Sequence, residues 1–265
     1  MAAGGAPRSC AVTWWGHATT TIEIGGVRIL TDPVLTRRLG HLSRIGGPMP
    51  VVDARNANVV LISHMHSDHL HIPSLRQLTS TPQLVVPRGS GRLIRQIRDR
   101  FDLVHEVDVG DAITIGDVMI RAVPASHDGR RHPGSRIRGP ALGYLIENGG
   151  IRVWFAGDTG LFGAMAELGP VDLALIPIGG WGPTLGEEHL DPIRAAQAAR
   201  LAKVRYAVPI HYGTFWPIGL RRVHGSSFLK LFEQPASRFA AELAGDELTE
   251  ARILRIGETA RWAQL

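Results

Sequence analysis

A short segment rich in metal-ligand side chains stands out between positions 63 and 70 of this 265-residue sequence. Its spacing is His-x-His-x-Asp-His, with ligand-type residues at His64, His66, Asp68 and His69. Four such side chains in six positions cannot all face a hydrophobic core, but a loop leaving a strand can turn them inward around a cation. Imidazole and carboxylate groups bind zinc, iron and manganese. The segment therefore predicts a metal site, with a solvated histidine-rich turn as the alternative.

Three further ligand candidates each follow an apolar strand where it enters a glycine-containing loop: His127, Asp158 and His211. A lone histidine near a strand end is more typical of a hydrogen-bonded structural residue. Strand ends that gather at one edge of a sheet nevertheless build a site, and all three residues share that position. Together with the first loop, they predict a common metal centre.

Seven candidate ligands are more than one tetrahedral ion can use, so we expect two divalent ions, zinc first, with manganese or iron as alternatives. The expected division is one ion on His64, His66 and His127, a second on Asp68, His69 and His211, and Asp158 as a bridge. A hydroxide held by paired ions is a nucleophile at neutral pH, and the ions stabilise both the attacking and the leaving oxygen. Such a site would hydrolyse phosphate esters, lactones or other acyl bonds without a Ser or Cys nucleophile.

The elements that must position these residues alternate between short strands and helices. Strands are predicted at 11–15, 20–24, 27–31, 58–62, 83–86, 111–115, 118–124, 141–147, 151–156, 171–176, 206–210 and 252–256. Helices are predicted at 73–78, 89–98, 193–202 and 227–244. This order favours an α/β fold in which two mixed sheets pack face to face under outer helices, a four-layer αββα sandwich. No linker divides the chain, so residues 1–265 are expected to form one domain, with 1–9 disordered.

Composition narrows the possible partners and the location. The formal net charge is +5, but arginine carries nearly all of the positive charge, with lysine only at positions 203 and 230. This bias is typical of GC-rich coding, so no nucleic-acid partner is expected. No apolar run is long enough to span a bilayer, and the N-terminus has no hydrophobic signal core. With a single cysteine, Cys10, the sequence predicts a cytoplasmic protein, and a homo-oligomer stays possible.

Five motifs in one order carry a family resemblance: Gly16-His17-Ala18-Thr19, Thr31-Asp32-Pro33, the His-x-His-x-Asp-His loop, Phe155-Ala156-Gly157-Asp158-Thr159-Gly160 and Ile210-His211-Tyr212-Gly213-Thr214-Phe215. Together they resemble the metallo-β-lactamase superfamily over roughly 13–215. The stretch 172–179 and the Gly-Thr-Phe after His211 look most like the N-acylphosphatidylethanolamine phospholipase D group and the bacterial L-ascorbate-6-phosphate lactonases. The resemblance implies the same metal ligands and the metallo-β-lactamase fold.

The resemblance also implies roles for residues around the ligands. His189 would face the substrate and assist leaving-group protonation, with Asp68 as the second catalytic residue; alternatively, His189 only flanks a helix cap. Asp32 would orient a metal ligand from behind, as such partners commonly do, or would simply form an Asp-Pro turn. His17 is expected beside it, supporting or lining the site, or else closing a turn.

Substrate preference depends on weaker signals. Arginines at 130, 131, 136 and 138 follow His127. The planar guanidinium group can donate two parallel hydrogen bonds to a phosphate. Arg130 and Arg131 are therefore predicted, with His189, to bind substrate. A solvated arginine-rich loop is the alternative. Trp181, Phe215 and Trp216 either form an apolar wall or pack the loops together.

The expected function is a phosphodiesterase, phospholipase D-like, acting on a phosphate-containing small molecule or lipid, with a lactonase as the alternative. A nuclease is disfavoured because only 52 residues separate Asp158 from His211, too few for a nucleic-acid-binding insertion. Antibiotic hydrolysis is disfavoured because β-lactamases proper use a Cys where this chain has Asp158. A non-catalytic sensor is disfavoured because the whole ligand set is present.

Overall fold

Two seven-stranded sheets form the scaffold of the protein in a computed structural model, which describes residues 9–180, 186–220, 225–263 and 265. The strands are β1 (Cys10–Trp14), β2 (Thr20–Ile24), β3 (Val27–Thr31), β4 (Arg38–Leu39), β5 (Leu42–Arg44), β6 (Val59–Leu61), β7 (Gln83–Pro87), β8 (Val104–Val107), β9 (Ala112–Ile115), β10 (Val118–Pro124), β11 (Leu142–Asn148), β12 (Ile151–Phe155), β13 (Val171–Pro177), β14 (Val204–Ile210), β15 (Phe215–Pro217), β16 (Glu250–Ala251) and β17 (Thr259–Trp262). The α-helices are α1 (Ile72–Leu75), α2 (Gly91–Ile94), α3 (Pro192–Leu201), α4 (Gly225–Phe228) and α5 (Pro235–Glu242). Short 3-10 turns lie at Val52–Arg55, Arg95–Arg100, Gly163–Glu167 and Gly186–Glu188, and a π turn at Leu229–Glu233.

Strand order explains how the chain builds one functional edge. The first sheet runs β17-β1-β2-β3-β6-β7-β8, and the second runs β16-β14-β13-β12-β11-β10-β9. In the first sheet, β1, β3, β6, β7 and β8 point the same way, because β2 is antiparallel to both of its neighbours and the later pairs are parallel. In the second sheet, β10, β12, β13 and β14 likewise share one direction. Their carboxyl ends therefore meet at a common edge of each sheet.

The central core lies between the two sheets, and side-chain alternation puts it there. Val12 and Trp14 of β1 face this core together with Leu173 and Leu175 of β13. Because successive residues of a strand point to opposite faces, Ala174 and Ile176 face away from it. Burying apolar surface between the sheets is the main force that holds them together.

Helices cover the outer face of each sheet. Ala174 of β13 packs with Ala195 of α3 and Phe239 of α5 in an outer cluster on the second sheet. On the first sheet, Leu75 of α1 and Ile94 of α2 pack in a separate cluster. These four layers confirm the αββα sandwich expected from the sequence.

Helix α3 begins as its sequence dictates. The Asp191 carboxylate accepts hydrogen bonds of 2.9 Å from the backbone N–H groups of both Ile193 and Arg194. Pro192 occupies the first turn, where its missing N–H leaves no hydrogen bond unmade.

Several element predictions were wrong in the C-terminal part. Residues 252–256 are not a strand; the last strand is β17, which pairs with β1. Apolar alternation alone suggested a strand, but in the structure Leu254 is buried while Ile253 is exposed. The helix predicted at 227–244 is divided into α4, the π turn and α5, and Pro235, which has no N–H to donate to the preceding turn, separates the π turn from α5.

Strand β8 and a small third sheet were not predicted. Strand β8 forms the edge of the first sheet, and β4, β5 and β15 form a small third sheet in the order β15-β5-β4.

Over the part of the chain that the structure describes, no helix has the length and apolar character needed to cross a membrane.

Candidate metal centre

The loop after β6 carries the first four candidate ligands and is anchored on both sides. The Ser63 carbonyl accepts a hydrogen bond of 2.9 Å from the backbone N–H of Leu142, which ties the loop to the second sheet. Behind the loop, the Arg131 guanidinium donates to the carbonyl oxygens of Met65 (2.8 Å) and Leu70 (2.9 Å). The loop backbone is therefore fixed at its start and at both ends of the ligand run.

One group of donor atoms comes from His64, His66 and His127. His64 Nε2 lies 2.9 Å from His66 Nδ1, and His127 Nε2 lies 3.2 Å from the same atom. The first two residues belong to the loop after β6, whereas His127 follows β10 in the other sheet. Three imidazole nitrogens from the two sheets thus converge on one small volume.

A second group surrounds Asp158, which follows β12. Its Oδ2 lies 3.2 Å from His69 Nε2, and its Oδ1 lies 3.2 Å from His211 Nε2. The two imidazole nitrogens are 3.3 Å apart, and Asp68 Oδ2 lies 3.5 Å from His69 Nε2. Ligand atoms of Asp158 also lie within 4.8 Å of those of His64 and His69, and of His127 and His189. The structure thus brings all seven predicted ligands together, with Asp158 between the two groups.

These donor sets fit a divalent metal ion. Donors on a tetrahedron with zinc bonds of ordinary length are about 3.3 Å apart, close to most of the separations above. Metal-binding imidazole must be neutral, and burial lowers the pKa of His64, His66 and His127, and lowers that of His211 to about 3. These four imidazoles are therefore both correctly spaced and neutral, as a metal requires.

Negative charge is concentrated around His69. Burial acts to lower the pKa of His69, but Asp158, Asp68 and Asp32 together raise it well above its ordinary value. Burial acts to raise the pKa of Asp158, yet His211 and His69 hold it well below its ordinary range. Three carboxylates around one imidazole are an arrangement that a cation would stabilise.

Asp32 lies behind the second group, where it contacts His69. The Asp32 carboxylate accepts hydrogen bonds from His69 Nδ1 (2.7 Å), from the Ser63 backbone N–H (2.7 Å) and from Ser63 Oγ (2.6 Å). The Ser63 hydroxyl also lies 3.0 Å from His64 Nδ1. Sequence reasoning gave Ser63 no role, although its place as the first residue of the metal loop was a usable signal.

His17 and His189 each lie beside a different group of candidate ligands. His17 lies among the candidate ligands rather than behind them, with its Nε2 at 3.2 Å from Asp68 Oδ2. His189 Nε2 lies 3.6 Å from Asp158 Oδ2, and its ring centroid is 4.8 Å from that of His127. Thr214, which sequence reasoning also missed, holds His17 by accepting a hydrogen bond of 2.7 Å from its backbone N–H.

Left-handed backbone is concentrated at this site. Only four non-glycine residues in the described ranges have positive φ, and three of them, His17, Asp32 and His211, lie in the cluster. Such conformations cost on the order of 1–3 kcal/mol and persist where the surroundings enforce them, typically at functional sites. Next to Asp158, Gly157 has φ +62°, and an added Cβ would approach within 2.6 Å of Ser63 Cβ. Glycine is therefore required there.

The arginines after His127 divide into two kinds. Arg131 was predicted to bind substrate, but its guanidinium contacts backbone carbonyls of the metal loop, so the structure gives it a structural contact instead. Arg130 is paired with Asp128 at 2.6 Å. Arg138 is exposed and, within the described residues, has no ion pair. Arg130 and Arg138 line the same recess as His127, which has a volume of 430 Å³.

An apolar recess opens on the other side of the cluster. Its volume is 270 Å³, and its walls include Asp68 and His211 together with Phe215, Trp216 and Phe232. Trp181, the third predicted aromatic residue, lies outside the described residues. The metal cluster thus stands between a polar recess and an apolar one.

The fold and this cluster define a protein of the metallo-β-lactamase type, and sequence comparison agrees. The chain belongs to the beta-lactamase superfamily: the profile of the beta-lactamase superfamily domain matches residues 27–212. The resemblance stated from the motifs is therefore confirmed.

Individual proteins of this superfamily are similar to the chain in sequence or in fold. An N-acyl-phosphatidylethanolamine-hydrolyzing phospholipase D of Caenorhabditis elegans is 31% identical over 230 residues, which cover 78% of this chain and 64% of that protein. The chain thus spans less than two thirds of that relative's length. A metal-dependent hydrolase of Carboxydothermus hydrogenoformans is 32% identical over 214 residues, covering 78% and 86%. A metallo hydrolase of the archaeon Ignicoccus hospitalis has the same fold, with a TM-score of 0.70 at 24% identity, covering 96% of this chain and 98% of that one.

Proposed function

We propose that this protein is a metal-dependent hydrolase that holds two divalent ions and cleaves a phosphodiester bond in a small molecule or lipid. The observation that carries the proposal is the convergence of seven donor residues from both sheets on one edge, with Asp158 between two groups. The relatives described as a metal-dependent hydrolase and as a phospholipase D support the same reaction class.

The two groups would hold one ion each. His64, His66 and His127 would hold the first, Asp68, His69 and His211 the second, with Asp158 shared between them. Zinc is the first choice because imidazoles predominate among the donors, and manganese or iron would accept the same set. Divalent ions in these positions would lower the pKa of water and stabilise charge on a phosphoryl oxygen.

Two residues of the chain are proposed to act on the reacting groups directly. The pKa of Asp68 is held well below its ordinary range, because His69 and His17 outweigh the effect of burial, so its carboxylate is ionised. It can therefore accept a hydrogen bond from the attacking water and orient it. His189, whose Nε2 lies 3.6 Å from Asp158 Oδ2, would hold a proton at that nitrogen and deliver it to the leaving oxygen.

The recesses on either side of the cluster support a substrate with two unlike ends. Arg130 and Arg138 would contact anionic oxygens in the polar recess. Phe215, Trp216 and Phe232 would contact an apolar group in the other recess. A phosphodiester with an apolar substituent satisfies both sides.

A substrate panel tests the proposal. Zinc-loaded protein would be assayed with bis(p-nitrophenyl) phosphate, with N-acylphosphatidylethanolamine in micelles, with neutral and phosphorylated lactones, and with a β-lactam. We expect an alcohol and a phosphomonoester as products, and the two phosphodiesters distinguish a soluble substrate from a lipid one. Turnover of lactones with both phosphodiesters inert would overturn the phosphodiesterase assignment and favour the lactonase.

Arginine variants test whether the polar recess binds the phosphate of the substrate. Arg138→Ala should raise KM more than it lowers kcat, because a contact made equally in the ground and transition states contributes only to binding. Arg136→Ala is the matched control, since Arg136 is also exposed but is not part of the recess wall. Equal effects of the two variants would count against a phosphate contact at Arg138.

A further inference from the structure

We propose that His17 is an eighth protein ligand of the metal centre and binds the second ion through Nε2. This inference rests on the proposed function, because it requires that the chain bind metal. His17 lies 47 positions before His64, the first candidate ligand of the metal loop, and was expected to support or line the site, or else to close a turn. In the structure its ligand atom lies within 4.8 Å of those of Asp68, His69 and His211.

The backbone of His17 is held in a conformation that points to a side-chain role. Its φ is +54°, in the left-handed region that few residues other than glycine adopt. All of its backbone hydrogen bonds are made within the site: the N–H donates to Thr214 Oγ1 (2.7 Å), and the carbonyl accepts from Trp14 Nε1 (2.9 Å) and from the His211 N–H (2.9 Å). The surrounding structure therefore enforces the strained residue and couples it directly to a candidate ligand.

The imidazole itself is buried and aimed at the second group. His17 is 8% exposed, and its ring centroid lies 4.1 Å from that of His211 and 5.2 Å from that of His69. Nε2 is 3.2 Å from Asp68 Oδ2, but it makes no hydrogen bond of acceptable geometry there. Among the described residues this buried nitrogen has no hydrogen-bond partner, and it faces three other donors, which is better explained by a ligand than by a packing contact.

Adding His17 also makes the two groups alike. The first group offers three imidazoles, whereas the second offers only His69 and His211 unless His17 is counted. With His17, each ion has three imidazole donors, and Asp158 lies between them. Asp68 is then freer to orient the attacking water.

Zinc affinity of the His17→Asn variant tests the inference. Asparagine tolerates the left-handed backbone, but its side chain is too short to replace the imidazole. Metal-free protein would be titrated with Zn²⁺ against a competing chelator, and thermal unfolding without metal would check the fold. We expect the second ion to bind at least about tenfold more weakly, with the affinity of the first ion unchanged. The control is His132→Asn, which should match the parent because His132 is exposed and lies outside the cluster.

A double-mutant cycle separates a ligand from a residue that merely positions Asp68. The titration would be repeated for Asp68→Asn with and without His17→Asn, and the Co²⁺ absorption spectrum would be recorded at saturation. A ligand predicts a further loss of affinity in the Asp68→Asn background and an altered Co²⁺ spectrum in His17→Asn. Parent-like zinc affinity and spectrum, or an effect that vanishes when Asp68 is replaced, would overturn the inference. Failure of the proposed hydrolysis alone is distinct, because the parent chain would then bind zinc with an affinity that depends on His17 but cleave no phosphodiester, whereas a parent chain that binds no metal would overturn both proposals.

Discussion

Asp32 and His69 form a fully buried pair in which the carboxylate accepts a hydrogen bond of 2.7 Å from His69 Nδ1. The pair fixes the ring so that the other nitrogen, Nε2, faces Asp158 and His211. Because the same carboxylate accepts two hydrogen bonds from Ser63, it also locks the first residue of the metal loop. One side chain thus orients a candidate ligand and the backbone that carries the others.

Replacing Asp32 by Asn should weaken metal binding without removing any proposed ligand. The amide has one acceptor oxygen and no charge, so it cannot satisfy both His69 and Ser63 as the carboxylate does. We expect roughly 10–100-fold lower zinc affinity, measured by competition with a chelator. Asp53→Asn is the control, because Asp53 is exposed and pairs only with Arg28. Parent-like affinity in Asp32→Asn would show that the pair does not orient the site.

Asp158→Asn should abolish hydrolysis and lower metal content more than any single histidine variant of the cluster. The carboxylate lies between the two groups, so its loss removes a donor from both and the charge that offsets the repulsion of two cations. Metal per chain after dialysis and the rate with bis(p-nitrophenyl) phosphate are the measurements. Asp172→Asn is the control, since Asp172 lies near the amino end of β13, away from the carboxyl ends that carry the cluster, and accepts a hydrogen bond from the Arg152 backbone N–H. Two retained ions with unchanged turnover would contradict the shared position of Asp158.

Arg131→Met should loosen the metal loop. The variant keeps part of the apolar stem but removes the donors to the carbonyls of Met65 and Leu70, which bracket the ligand run. We expect unfolding free energy to fall by about 1–3 kcal/mol, together with weaker metal retention. Arg130→Met removes a partly exposed ion pair with Asp128 and should change stability by less than about 1 kcal/mol. If the two variants unfold alike in urea and retain metal alike, the anchoring role of Arg131 is wrong.

Tyr144→Phe tests how the second sheet supports the start of the metal loop. The fully buried hydroxyl donates a hydrogen bond of 2.7 Å to the carbonyl of Ile62, directly before Ser63. Its removal leaves that carbonyl unsatisfied and should cost about 1–3 kcal/mol of unfolding free energy. Tyr206→Phe is the control, because within the described residues the Tyr206 hydroxyl makes no such bond. A urea unfolding midpoint that falls in Tyr144→Phe but not in Tyr206→Phe would agree with this account. Unchanged midpoints in both variants would contradict it.

The convergence of the candidate ligands could be predicted from sequence because they follow apolar strands, and parallel strands bring their carboxyl ends to one edge. The roles of Arg131 and His17 could not, because they depend on contacts between residues far apart in the chain. Strand β17 was missed although Ala260 and Trp262 alternate toward the core, since the neighbouring apolar run at 252–256 gave a stronger local pattern. Strand β8 was missed because its His105 and Glu106 leave little apolar alternation at a sheet edge.

The central claim is that two ions at this cluster support hydrolysis, and stepwise reconstitution tests it most directly. Metal would be removed with a chelator, and Zn²⁺ would then be added back while bound metal per chain and cleavage of bis(p-nitrophenyl) phosphate are measured together. We predict negligible activity without metal and activity that rises until two ions are bound per chain. Full activity in the metal-free protein would contradict the account. So would full activity with a single bound ion, if the His69→Ala and His211→Ala variants also remained fully active.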